Sequence, residues 1–101
     1  MRTRLDFHEF LCELLGSRNV YFQVPPNLQM KYPAIKYSYN NIRNDHADNA
    51  PYIQSTEYMV TVIDPNPDSE IVEKFFKLSK CTFDRQYSSD NLNHFVFTIY
   101  Y

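Results

Sequence analysis

Residue types able to bind a metal or activate water gather in one short stretch, Asp45-His46-Ala47-Asp48-Asn49, with Asp64, Asp84, Asp90 and His94 placed far along the chain. A zinc site needs three or four N, S or O ligands in a fixed geometry, and a hard cation needs converging carboxylates. Only His46-x-Asp48 is local, so every further ligand would have to be delivered by the fold. Asn and Asp also bond to their own backbone in turns, which accounts for the stretch without a metal. The sequence is therefore read as holding no metal and no cofactor. A small metal-dependent enzyme built on His46, Asp48 and two distant acids is the alternative.

Nucleophilic chemistry has one candidate. His8 and Cys12 are four apart, a spacing that lets side chains touch on a helix. A catalytic thiol also needs an oxyanion hole and a base held by a third group. No neighbour supplies these, and Gly16 is the single glycine, which leaves few places for backbone to wrap an oxyanion or phosphate. Phosphate-loop and dinucleotide fingerprints are absent. The expectation is a protein that is not an enzyme. Asp84, Arg85, Asp90, Asn91 and His94 form a second polar group, expected either as a turn network at the end of the last hairpin or as a contact with a partner subunit.

The chain that must position these residues has 101 residues, enough for one core and one domain. Hydrophobic residues make up 44% and charged residues 22%, as in folded proteins, and the net charge of −2 gives no general attraction for nucleic acid. Nine Tyr and eight Phe stand out. Tyr pairs an apolar ring with a wet tip, so this content fits either a half-wet sheet face or a protein–protein interface. Cys12 and Cys81 match no zinc spacing and are expected as free buried thiols. Met1-Arg2-Thr3-Arg4 leads into a charged amphipathic pattern, and no apolar run reaches membrane length, so synthesis in a cytoplasm without a membrane partner is expected.

Phe7, Phe10, Leu11, Leu14 and Leu15 follow helical spacing, with Thr3 or Asp6 as cap and Gly16 as terminator. Strands are expected at Val20–Val24, after Pro33, and at Glu57–Ile63. Asp68 or Ser69 should cap a second helix with an apolar face of Ile71, Val72, Phe75, Phe76 and Leu78, ending among Lys74, Lys77 and Lys80. Cys81, Phe83, Arg85 and Tyr87 alternate with polar residues, and Phe95, Phe97, Ile99 and Tyr101 do so again. The order α-β-β-β-α-β-β predicts an α+β domain spanning 1–101. Its mostly antiparallel sheet would have four to five strands, with both helices on one face. Phe10, Leu14, Val60, Val62, Phe75 and Phe97 are the expected core. Between residues 40 and 56 apolar alternation collapses, which predicts a long mobile loop. Such loops are usually functional. Ile42, Arg43, Asp45, His46, Asp48, Asn49, Pro51, Tyr52 and Ile53 are its candidate assembly contacts, with Ile42, Pro51, Tyr52 and Ile53 as anchors.

An ordered set of segments resembles a family from the head-to-tail module of long-tailed phages of Gram-positive hosts. They are Lys31-Tyr32-Pro33-Ala34-Ile35-Lys36-Tyr37, Ala47-Asp48-Asn49-Ala50-Pro51-Tyr52, Glu57-Tyr58-Met59-Val60-Thr61-Val62-Ile63-Asp64, Pro67-Asp68-Ser69 and Cys81-Thr82-Phe83-Asp84-Arg85. Asp90-Asn91-Leu92-Asn93-His94 and Tyr100-Tyr101 complete the set, which covers about two thirds of the chain. The family is that of tail terminator, or tail completion, proteins. The resemblance implies a structural protein of the virion neck, made in the host cytoplasm, with a sheet, flanking helices and a long mobile loop. It implies a ring of typically six copies on the tail tube protein, joined to the head completion or stopper protein, with DNA only passing through the lumen. Another neck component, or a phage-encoded regulatory binding module, is the alternative.

Overall fold

The computed structural model describes residues 3–25, 29–47 and 50–101, the side chains of 41–47 and 50–55 excepted. Helix α1 (Arg4–Leu15) starts at a capping box: the Asp6 N–H donates to Thr3 Oγ1 at 3.2 Å, and the Thr3 N–H donates to Asp6 Oδ2 at 2.9 Å. Thr3, one turn before the alternative Asp6, is thus the cap. The helix stops where Gly16 turns left-handed at φ 81° and donates to the Cys12 carbonyl.

Five strands form one sheet: β1 (Val20–Phe22), β2 (Ala34–Ala47), β3 (Ala50–Asp64), β4 (Cys81–Ser89) and β5 (Leu92–Tyr100). Their spatial order is β1-β2-β3-β5-β4, and every pairing is antiparallel except β1 with β2. Helix α2 (Glu70–Phe76) links β3 to β4. The expected α+β architecture and element order are found.

Both helices cover the same sheet face. Phe7, Leu11, Cys12 and Leu15 of α1 and Val72 and Phe75 of α2 pack on Ile35, Tyr37, Tyr58, Val60, Val62, Phe95, Phe97 and Ile99. Phe7 lies at the centre, stacked on Tyr58 with ring centroids 4.1 Å apart and edge-on to Tyr37 at 5.5 Å. Of the expected core, Val60, Val62, Phe75 and Phe97 are fully buried, while Phe10 and Leu14 pack half-buried at its margin. Lys74 Nζ donates to the Leu14 carbonyl at 3.0 Å and ties α2 to the end of α1.

Four expectations are corrected. Ser69 occupies the cap position of α2, but its side chain makes no capping bond, and the helix ends at Phe76, short of Lys80. Phe76 is 61% exposed instead of completing the apolar face. Cys81 is only half-buried, though both cysteines are free thiols as expected. The alternation of β4 breaks at Asp84: Phe83 pairs with Phe97 and Arg85 with Val96, so Asp84 is an inserted residue. Side chains alternate faces along a strand. The bulge therefore moves Arg85 and Tyr87 off the helix-covered face that Cys81 and Phe83 share, onto the open one.

Candidate assembly interface

The segment expected to be a loop is a β-ribbon. Asn41 to Ala47 pair with Ala50 to Glu57, continuing the β2–β3 ladder past the rest of the sheet. Pairing of β1 ends at Tyr37 and pairing of β5 ends at Glu57, so from Ile42 and Ser55 outward no third strand pairs with the ribbon among the described residues. Six residues, Ile42–Ala47, reach about 20 Å at strand rise. The molecule is accordingly 52 Å long but 28 and 22 Å across, and its radius of gyration of 14.6 Å exceeds the roughly 13 Å of a compact chain this size. Polar sequence misled because backbone pairing alone makes the ribbon, and backbone pairing leaves no apolar alternation to read. A signal was present: Ala47 pairs with Ala50, so Asp48-Asn49 alone connects the strands, and an Asx pair is a hairpin signature. Asp48 and Asn49 themselves lie outside the described residues. Of the candidate contacts, Ile42, Arg43, Asp45 and His46 lie on one ribbon strand and Pro51, Tyr52 and Ile53 on the other.

The second polar group does not form one site. Arg85 Nη1 donates to Asp84 at 2.9 Å on the bulge. Asp90 and Asn91 sit at the far end of the hairpin in left-handed conformations, φ 53° and 64°, between the paired Ser89 and Leu92. Two positive φ values are what a tight two-residue turn requires, and Asp and Asn tolerate them. His94 stacks flat on Tyr87, centroids 4.6 Å apart. Its Nδ1 is buried without a partner among the described residues. Burial and the Lys36 charge lower its pKa against the opposing pull of Leu92 and Asp90.

The bulge has built something on the open face. Register places Lys36, Thr61, Val96 and Arg85 in one row across β2, β3, β5 and β4. These residues, with Ser38 and Met59, line a trough of 310 Å³, closed at its sides by Gln23–Val24 and Tyr87. Three strand spacings separate Lys36 from Arg85, about 14 Å between backbones. Thr61 and Val96 between them are buried although neither helix reaches this side. Sequence reading missed the trough because its residues come from five segments, and because Arg85 faces it only through the bulge.

His8 is engaged elsewhere than with Cys12. Arg4 Nη1 donates to Tyr37 Oη at 3.2 Å, and Tyr37 Oη lies 2.8 Å from His8 Nδ1. Burial first, then the Arg18 and Arg4 charges, lower the His8 pKa from its ordinary value. Burial raises the Cys12 thiol, and pushes Cys81 up to about 11, the direction opposite to an activated nucleophile. Among the described residues no three His, Cys, Asp or Glu side chains come together as a metal site, and no helix is long and apolar enough to cross a membrane. The pair His46 and Asp48 falls outside that description. Compared with protein-family models, curated proteins and solved structures, the chain matches none.

Proposed function

We propose that this chain is a non-catalytic structural protein of a phage neck, a tail terminator that forms a ring on the tail tube and joins it to the head completion complex. The observation that carries the assembly part is the two-stranded ribbon, which projects about 20 Å beyond the last residue paired to β5. Isolated ribbons are marginal in water, and their outward N–H and C=O groups are a template for another chain. A ribbon of this kind is at home when a neighbour covers it. The edge of β4 adds exposed aromatic surface: Phe83 and Phe76, with centroids 5.6 Å apart, are 41% and 61% exposed. Large exposed aromatics beside an open strand edge suit a subunit contact.

The neck assignment rests on the ordered segments that resemble the terminator family, whose sheet and flanking helices agree with this architecture. In that reading the ring is built from one chain through a heterologous contact, two different surfaces meeting head to tail. Its work is mechanical. A net charge of −2 per subunit offers little to hold phosphate, so DNA slides through.

Native mass spectrometry of the purified protein, alone and with tail tubes, tests the proposal. The expected result is a monomer–oligomer equilibrium in solution and a closed ring on tubes. A lone monomer in both samples counts decisively against it.

A further inference from the structure

Among the described residues, the trough on the open sheet face is charged on one sign only. Lys36 and Arg85 stand at opposite ends of its central row, and no carboxylate of the described residues lines it. Arg85 gives one of its five N–H donors to Asp84, and the remainder make no hydrogen bond among the described residues. Lys36 makes no ion pair among the described residues. Between the two cations the floor is mixed: the hydroxyls of Ser38 and Thr61, and the apolar surfaces of Met59 and Val96. A volume of 310 Å³ equals about ten waters. That is room for a few side chains of an incoming segment and too little for a domain.

The opposite charge is found on the ribbon. Over residues 40–55 the sequence carries Asp45 and Asp48 against Arg43 alone. The ribbon continues β2 and β3 in the same ladder, away from the sheet, so it cannot fold back onto the trough of its own chain. A second copy can present it.

We propose that the trough between Lys36 and Arg85 receives the acidic ribbon tip of a neighbouring copy of this chain. This deepens the proposed ring and rests on it, since it names the two unlike surfaces that a head-to-tail contact needs. The bulge at Asp84 is then a specificity device, because without the inserted residue Arg85 would fall on the helix-covered face. Complementary charge of this kind fixes register and orientation between subunits.

The test uses the full chain in four forms: wild type, K36E/R85E, D45K/D48K, and all four substitutions together. Each is followed by native mass spectrometry over a concentration series, by thermal unfolding, and by gel shift with a short DNA duplex. Wild type should oligomerise, each pair should raise the concentration needed by at least about tenfold, and the combined form should recover most of the loss. Rescue also shows that the pairs failed through charge and not through misfolding. If K36E/R85E assembles like wild type, the inference is overturned while the ring stands. It is overturned in the same way if the combined form stays monomeric although all four melt alike. If K36E/R85E assembles normally but loses DNA binding, the trough serves phosphate and the inference is wrong. A wild type that stays monomeric even on tail tubes overturns both.

Discussion

The five-stranded body and the two-stranded ribbon share two strands, β2 and β3, yet they answer to different physics. In the body, Tyr37, Tyr58, Val60 and Val62 lie under two helices with at most 3% of their surface exposed, and each is held by neighbours on several elements. A few residues further out, among the described residues, β2 and β3 pair only with each other. Hydrophobic burial stabilises the first region, at about 25 cal/mol per Å² of apolar surface removed from water. The ribbon has backbone pairing between its two strands but, among the described residues, no third strand to pair with, and two-stranded ribbons are marginal by themselves. The contrast separates what lets the chain fold from what lets it assemble.

The sharpest way to break that separation is to damage each region in turn. Phe75→Ala removes a fully buried ring stacked on Phe97 and should cost about 3–5 kcal/mol in a denaturant titration. Its neighbour Phe76, 61% exposed, should cost less than about 1 kcal/mol when changed to Ala. Replacing 43–55 by Asn-Gly closes the paired Ile42 and Thr56 with a tight turn. That variant should keep the thermal midpoint within a few degrees and lose assembly. A ribbon truncation that unfolds the body, or a Phe75 variant that loses under 1 kcal/mol, would show that the two regions are not independent.

A smaller effect is expected at the start of α1. Thr3→Ala removes the hydroxyl that caps the Asp6 N–H and should cost about 1 kcal/mol in stability without changing oligomer formation. Equal losses in both readouts would mean that α1 contributes directly to the subunit contact.

The smallest effect is pH dependence of the body. His8 and His94 both have folded pKa values below the ordinary 6.5, chiefly through burial. Around that value the unfolded chain binds more protons than the folded one, so stability falls as pH drops below about 6.5 until the folded pKa values are passed. Unfolding titrations between pH 7 and 5 should show that loss, and His8→Gln should flatten part of it. Stability that rises on acidification through this range would contradict the lowering of both histidines by burial.

Much of the body was legible in the residues. Helical spacing from Phe7 to Leu15, the lone glycine as terminator and the alternation of β5 each reflect a buried face, and a buried face leaves a periodic trace. Features that depend on no buried face left none. The ribbon reads as loop because its polar residues alternate with nothing. Asp84 breaks the register of β4, and an inserted residue is invisible to a period-two count that keeps counting across it. The tyrosines, open in sequence between sheet face and interface, divide: Tyr37 and Tyr58 are core, while Tyr39 and Tyr87 are about 40% exposed. The trough draws on Lys36 and Arg85, 49 positions apart by number, and only the register unites them.

Amide hydrogen exchange over residues 42–55, in the isolated chain and in the assembled ring, tests the central claim most directly. A two-stranded ribbon leaves half its amides facing outward without a partner, while β3 and β5 amides in the body are paired and covered. The account predicts rapid exchange across the ribbon in the isolated chain and strong protection there on assembly, with the body unchanged. Protection of the ribbon already equal to that of the body in the isolated chain, or a ring in which the ribbon exchanges as fast as before, would contradict it.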